Sequence, residues 1–324
     1  MTRFADLGVV AVLVGAVLAS LFLSGPAAST GDVVSVLTGG GDQVTRTVVL
    51  QVRLPRILLA MAVGASLAMA GAALQALLAN PLADPFLLGI SGGGAAVATA
   101  AYIVLPVAHL GLVPVLAMGG AAGATGLVWY LARGPLGPSP TRMILAGIAV
   151  NAAASAAILT LLSLAHSQRL PGALAITMGS FAGAAPAQVL ALLPYLLVPS
   201  VILLAAGRDL DLMATGEESA ASLGVELSEV RRRVFLAAAA LCGGAVAFAG
   251  VIGFVGLIVP HMARLVWGYD TRRLFPRVAV AGAALTVLGD LAARRLVPPI
   301  ELPVGVITAV VGVPFFVAML RRSP

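Results

Sequence analysis

The sequence predicts an all-α membrane protein that crosses the bilayer about ten times. Of its 324 residues, 60% are hydrophobic and only 10% are charged, and the mean hydropathy is +1.07. Such a composition lies outside the range of water-soluble domains. Because a span needs about 20 apolar residues, ten spans would use roughly 200 and leave short connections. We therefore expect residues 1–324 to form a single transmembrane domain, with short cytoplasmic coupling helices and no separate soluble domain.

Apolar stretches follow one another along the chain and set the predicted spans. Their periodicity and length place the spans at 7–24, 54–77, 86–107, 112–132, 142–165, 187–206, 231–251, 252–267, 276–296 and 303–320. An even number of spans puts both termini on one side of the membrane. The first stretch also fits a cleaved signal peptide, because Arg3 precedes it and Ala27 and Ala28 follow it.

The arginines orient the spans. All 19 basic residues are Arg, and with a cytoplasmic N-terminus 13 of them lie on the inner side. The positive-inside rule therefore predicts cytoplasmic termini and a place in the bacterial inner membrane, in contact with lipid. The outer side receives the other six, Arg46, Arg53, Arg56, Arg169, Arg294 and Arg295. Arginines dispersed in this way exclude nucleic acid as a partner.

Glycines and other small residues are frequent inside the predicted spans, as at 89–94 and 119–123. Small residues let helix backbones approach closely in lipid. A phosphate-binding loop would end in Gly-Lys-Ser/Thr, and the sequence contains no Lys. If ATP drives this protein, another subunit must bind it.

The longest polar connection is the loop at 207–233. Thr215 and Glu218 have the spacing of a capping box, with Gly224 placed to end the helix about two turns later. So short a helix is unstable alone and needs a surface to lie on. Arg231, Arg232 and Arg233 then mark the return to the membrane, where arginines anchor to headgroups.

Several stretches in a fixed order carry a family resemblance. The chain resembles the permeases of type II ABC importers that take up cobalamin, haem and iron-siderophores. The resemblance runs from Arg53 to Leu320. It rests on Arg-Leu-Pro-Arg at 53–56, Gly-Ala-Ala-Leu-Gln at 71–75, Asn-Pro-Leu-Ala-Asp-Pro at 80–85, Leu-Gly-Ile-Ser-Gly at 88–92, Leu-Ala-Gly at 145–147, Met-Gly-Ser at 178–180, Gly-Phe-Val-Gly-Leu-Ile-Val-Pro-His at 253–261 and Glu-Leu-Pro-Val-Gly-Val-Ile-Thr at 301–308.

The resemblance implies that this chain is one subunit of a larger transporter. It implies a homodimer enclosing one central pathway, two cytoplasmic ATPase subunits that carry ATP and Mg, and a periplasmic substrate-binding protein. The permease itself would bind no cofactor or metal and have no catalytic residue. The resemblance also implies that a short helix before the seventh span couples the permease to the ATPase. The matching residues are Leu212, Gly216, Glu217, Glu218, Ala221 and Leu223.

Two further sites are implied by the same resemblance. Periplasmic arginines of such permeases pair with glutamates of the binding protein, and the matching positions are Arg53, Arg56 and Arg294, with headgroup anchoring as the alternative. Asp290, four residues before Arg294, is placed to orient its guanidinium. A cytoplasmic gate is expected at Asn80, Leu82, Pro140 and Thr141. The chain departs from a hydroxyl pair there, because the first residue of the second pair is Pro.

Other functional classes have weaker support. An ion-coupled secondary transporter would need Asp, Glu or His in its central spans, where Gln75, Asn151 and Asp290 are the main polar groups. An intramembrane hydrolase would use Ser163 or Ser167 with His166, and no acid is spaced to orient that base. We expect His261 to be a helix-end residue. The expected cargo is haem or a ferric siderophore, with cobalamin as the alternative; His109 and His166 are the candidate haem contacts.

Overall fold

The chain forms helices joined by short connections in this computed structural model, which describes residues 2–24, 29–86, 88–134 and 139–321. These ranges contain no β-strand. They contain one π-helical stretch, Val48–Arg53, and one 3-10 helix, Val107–Leu112. The α-helices are α1 Thr2–Phe22, α2 Thr30–Leu37, α3 Gln43–Thr47, α4 Leu54–Leu77, α5 Ile90–Val104, α6 Val113–Leu131, α7 Pro140–Leu164, α8 Leu170–Met178, α9 Pro186–Ala214, α10 Glu217–Ser222, α11 Leu227–Ala249, α12 Val255–Trp267, α13 Thr271–Arg295 and α14 Val304–Leu320.

Ten of these helices coincide with the ten predicted spans, which confirms the all-α membrane fold. Among the described residues, seven helical segments are long and apolar enough to cross a membrane, and α5, α12 and α14 are shorter apolar helices. The largest difference is at α9, which continues past the predicted end at 206 to Ala214. Ala27 and Ala28, the cleavage positions of the signal-peptide alternative, lie outside the described residues.

Helix α4 lies at the centre of the fold, between α9, α11, α12 and α13. Glycines set how closely its neighbours approach. A Cβ atom added to Gly64 would lie 2.3 Å from the Gly282 carbonyl oxygen of α13, and one added to Gly71 would lie 2.0 Å from the Gly256 carbonyl oxygen of α12. These contacts agree with the prediction that small residues allow tight backbone packing in lipid.

The two glycine-rich runs noted in the sequence pack unequally. A Cβ on Gly120 of α6 would lie 2.6 Å from the Gly93 carbonyl oxygen of α5, so the two helices meet at this pair. In contrast, a Cβ on Gly119 or Gly123 would meet nothing within 4 Å. Only part of the run at 119–123 therefore serves helix packing.

The predicted loop at 207–233 is mostly helical, and its capping box does not form. Helix α9 fills the first part of the loop, and the Thr215 hydroxyl donates back to the Leu212 carbonyl at 2.8 Å. Gly216 occupies the N-cap of α10 without a side-chain cap. The prediction for the other end is correct: Gly224 has φ +85° and its amide donates to Ala221, as in a Schellman motif. Thus α10 is shorter than expected.

Candidate functional site

A large apolar cavity opens between the turn after α4 and the helix α14. Its volume is about 1100 Å³. The turn contributes residues between Leu78 and Leu88, and α14 contributes one face, from Gly305 to Phe316. The remaining walls come from Ile144, Thr177, Met178, Val251, Gly253, Phe254 and Leu257. Because polar side chains are few, this surface offers a bulky ligand contact without strong specific binding.

The turn after α4 places two of the four predicted gate residues on the cavity. Asn80 and Leu82 line it, and the Asn80 side-chain oxygen accepts from the Leu82 amide at 2.9 Å. The turn begins with Ala79 at φ +46°, a left-handed conformation that favours glycine. Pro140 and Thr141 occupy the first turn of α7 and are not among the lining residues. The cavity lining therefore includes the first predicted pair and not the second.

One carboxyl group that was not predicted as a site residue, that of Asp84 in the motif at 80–85, also lines the cavity. Asp84 is buried in the turn between α4 and α5, outside the candidate spans, and accepts from the Phe86 amide at 2.7 Å. Burial disfavours its ionised form and raises the pKa of Asp84 to about 6. Asp84 therefore changes charge in a mildly acidic range in which an exposed Asp stays ionised.

The start of α12 carries backbone strain at the cavity wall. Phe254, its N-cap residue, has φ +67°, a conformation that is unusual for a bulky side chain. A Cβ added to Gly312 of α14 would lie 2.3 Å from the Phe254 ring. Thus the absence of a side chain at Gly312 makes room for the ring, and α12 meets α14 at this point.

Three arginines that were predicted to dock the binding protein lie in or beside a buried charge cluster. Asp290 of α13 is the central anion, with 1% of its side chain exposed. Arg56 approaches it with its Nη2 atom 2.9 Å from Oδ1, and Arg294 with its Nη2 atom 3.0 Å from Oδ2. The predicted pair of Asp290 and Arg294 is confirmed. Arg56 also binds Glu301, with 2.9 Å between Nη1 and Oε2.

Helix α1 covers the other side of these arginines. Arg294 donates to the Ser20 hydroxyl at 2.8 Å, and buried Arg53 donates to the Leu21 carbonyl at 2.8 Å. The side chains of Arg56 and Arg294 are only 9% and 6% exposed. Exposed guanidinium groups on the predicted outer side belong instead to Arg46 and Arg295. Sequence reasoning found the arginines and missed Glu301 as their partner.

The short helix α10 presents most of the predicted coupling residues to the surroundings. Ala220 is fully buried and fixes α10 to the body, and Glu217 forms an ion pair with Arg231 of α11. Leu223 is 65% exposed at the end of the helix. Leu212 lies on α9 and is half-buried, so it is not on the short helix. The exposed members of the predicted set are Gly216, Glu217, Glu218, Ala221 and Leu223.

Other polar residues singled out in the sequence have structural contacts. Gln75 donates to the Gly256 carbonyl at 3.2 Å and accepts from Arg264. His261 lies inside α12, not at its end as predicted, and its ring packs edge-on against Phe315 at 5.8 Å. The Ser163 hydroxyl donates to the Thr160 carbonyl at 2.7 Å. These contacts explain the polar groups as parts of helix packing.

A helical bundle of this kind, with an apolar cavity and an exposed short helix between two spans, defines a multi-pass membrane transport protein. A family model for the FecCD transport family matches residues 12–322. The chain belongs to that family.

Relatives in this family differ in cargo. The hemin transport system permease protein HmuU of Yersinia pestis is 41% identical over 283 residues, covering 85% of this chain and 83% of that protein. The vitamin B12 import system permease protein BtuC of Vibrio vulnificus is 41% identical over 278 residues, covering 85% and 82%. The Fe(3+) dicitrate permease protein FecD of Escherichia coli is 38% identical over 275 residues, covering 85% of each.

A solved structure shares the fold over the whole chain. It is described as an inward-facing conformation of a metal-chelate type ABC transporter, with a TM-score of 0.86 and 30% identity, covering 99% of this chain and 100% of that one. The chain is therefore the multi-pass permease of an ABC importer, a transport subunit that works with ATPase and substrate-binding partners.

Proposed function

We propose that two copies of this permease enclose one pathway and move an iron chelate, haem or a ferric siderophore, from the periplasm to the cytoplasm by alternating access. Both termini lie in the cytoplasm, and ATP with Mg binds to two separate ATPase subunits. The observation that carries this proposal is the apolar cavity of about 1100 Å³. The alternative cargo is cobalamin, because relatives with similar identity carry hemin and vitamin B12 in their names.

The lining of the cavity supports passage in preference to storage. Apolar walls that offer few hydrogen-bond partners hold a bulky chelate weakly, which allows it to leave on the cytoplasmic side. The binding protein then supplies the affinity. Asn80 and Leu82 stand on the cavity and act as a gate at its cytoplasmic end, and Pro140 and Thr141 at the start of α7 complete that gate.

The helix α10 supports coupling to an ATPase. It combines an exposed face with a buried anchor, Ala220, and an ion pair to α11, so a force on the face reaches two long helices. The exposed side chain of Leu223 provides apolar area for a cleft in the ATPase subunit. Closure of the two ATPase subunits would move α10 and shift the dimer between its outward-facing and inward-facing states.

The coupling proposal is tested by Glu218→Arg, which reverses the charge at the centre of the exposed face. Because Glu218 caps nothing, the variant should fold normally and lose most ATP-coupled uptake in proteoliposomes. Glu226→Arg is the matched control, since it makes the same charge change on an exposed residue beyond α10. Coupled uptake that survives Glu218→Arg unchanged would show that this face does not contact the ATPase.

The outer arginines support docking of a binding protein. Arg56 and Arg294 bind the carboxylates of the cluster, Asp290 and Glu301, and Arg53 lies one helical turn before Arg56. Three cations beside two carboxylates leave an excess of positive charge to attract acidic residues. Replacing the three arginines by Glu should weaken association with the binding protein and reduce its salt dependence. If association is unaltered, these arginines do not dock the binding protein and serve only to stabilise the fold.

A further inference from the structure

The two carboxylates of the outer charge cluster are held very differently. Asp290 is 1% exposed and receives both Arg56 and Arg294. Glu301 is 48% exposed at its side chain, and Arg56 is its ion-pair partner among the described residues. A half-exposed carboxylate with one partner exchanges with solvent or another anion much more easily than a buried one with two. Glu301 is therefore the replaceable anion of the cluster.

Glu301 also stands at a mechanically useful position. The next residue, Leu302, donates its amide to the Ala293 carbonyl at the end of α13, at 3.0 Å, and the Val304 amide donates to the Gly179 carbonyl at 3.0 Å. Helix α14 begins at Val304 and forms one wall of the cavity. A change at Glu301 thus reaches that wall through three residues of backbone.

We propose that Glu301 is a displaceable counter-ion: on docking, a carboxylate of the substrate-binding protein takes its place on Arg56, and the released Glu301 frees the start of α14 to move. The proposal rests on the docking function proposed above and adds that Glu301 is the residue displaced by docking. It also explains how Arg56, although buried, serves as a docking group. Docking carboxylates reach Arg56 by replacing the one partner that lies half in solvent.

Charge and hydrogen bonding make the exchange feasible. One carboxylate replaces another on the Nη1 atom of Arg56, so the guanidinium never lies buried without an anion. Asp290 keeps its contacts to the Nε and Nη2 atoms of Arg56 throughout and holds that side chain in place. Free Glu301 returns to water, where its charge is solvated. The same reasoning leaves Arg294 out, because both its partners, Asp290 and Ser20, are buried.

The displacement is tested by measuring the affinity of the importer's purified substrate-binding protein for the permease in nanodiscs. Glu301→Gln removes the competing charge and should tighten binding about twofold to fivefold, as expected for loss of one exposed ion pair. Arg56→Gln should weaken it. Glu226→Gln, which neutralises an exposed carboxylate on the predicted cytoplasmic side, should have no effect.

Movement of α14 needs a separate readout. Val304 is buried, so a cysteine at this position should react slowly with maleimide, and native Cys242 is buried as an internal control. Binding protein added to the Val304→Cys permease should raise the reaction rate severalfold. This measurement keeps Glu301 in place and does not depend on the folding of Glu301→Gln.

The outcomes separate the two proposals. If Arg56→Gln leaves the affinity unchanged, docking through the arginines is wrong. If Arg56→Gln weakens binding but Glu301→Gln does not strengthen it, docking stands and displacement is overturned. If the binding protein does not change the rate at which the cysteine of Val304→Cys reacts with maleimide, the proposed movement of α14 is overturned.

Discussion

Replacement of Asp290 by Asn tests how the outer charge cluster stabilises the bundle. The variant keeps the shape of the side chain and removes the one buried anion between two guanidinium groups. Arg56 loses a charged acceptor for hydrogen bonds of 2.9, 3.0 and 3.1 Å, and Arg294 loses its ion pair at 3.0 Å. Both cations stay buried, so the change creates uncompensated charge instead of a simple cavity.

The magnitude follows from this burial. Removing one partner of a buried ion pair costs about 3–5 kcal/mol of folding free energy, because the remaining charge cannot return to water. Glu301 and Ser20 still bind the two arginines, which argues for the lower part of that range. With a cost of about 3–4 kcal/mol, and about 2–4 °C per kcal/mol for a large domain, the half-denaturation temperature should fall by roughly 6–16 °C.

The assay is the loss of the monodisperse elution peak after heating the detergent-purified permease. Glu301→Gln is the matched control, because it neutralises a half-exposed carboxylate of the same cluster and should cost less than about 1 kcal/mol. An Asp290→Asn protein that denatures within about 2 °C of the native chain would refute the reasoning. So would a Glu301→Gln protein that falls as far as Asp290→Asn.

Three further predictions use the same heating assay. Gly71→Ala should lower the free energy of unfolding by about 1–3 kcal/mol, because its Cβ would lie 2.0 Å from the Gly256 carbonyl oxygen. Gly123→Ala, which has open space around it, should leave that free energy unchanged or raise it by up to about 1 kcal/mol. Equal effects of the two variants would refute the packing argument. Ala79→Gly should gain roughly 0.5–1 kcal/mol by relieving the left-handed φ, and a loss would contradict that account. Because the pKa of Asp84 is raised to about 6, the folded chain binds more protons than the unfolded chain between about pH 4 and 6. The contribution of Asp84 therefore makes stability fall as the pH rises through that window. Asp84→Asn should remove this contribution, and a pH profile of stability identical to that of the native chain would contradict the account.

Much of the fold could be predicted because lipid imposes a simple rule on sequence. Helices must satisfy their own backbone hydrogen bonds in the bilayer, so long apolar stretches mark most of the spans. The segment 54–77 therefore matches α4 residue for residue. The end of α9 was missed because Arg208, Asp209 and Asp211 have the polarity of a loop, yet the helix continues through them to Ala214.

The capping box at Thr215 failed for a related reason. Its spacing satisfied the local rule, but α9 still supplies free carbonyl groups at that point, and the Thr215 hydroxyl binds one of them. Gly224 was predicted correctly because a left-handed residue at a helix end depends on its own backbone and on few distant contacts.

The charge cluster shows what sequence alone cannot supply. Asp290 and Arg294 are one helical turn apart, so their pairing followed from helix geometry. The ion pair between Arg56 and Glu301 joins residues 245 positions apart and exists only because the connection between α13 and α14 reaches the start of α4 in the bundle. Burial of the arginines likewise depends on α1 lying across them, at Ser20 and Leu21.

The central claim, that this chain is the permease of an ATP-driven chelate importer, is tested most directly by uptake into proteoliposomes. These would contain the permease with its ATPase, and would receive binding protein loaded in turn with haem, a ferric siderophore or cobalamin. The account predicts uptake of an iron chelate that requires ATP and stops when the ATPase is omitted. Uptake that continues without the ATPase would contradict the mechanism and favour a secondary transporter.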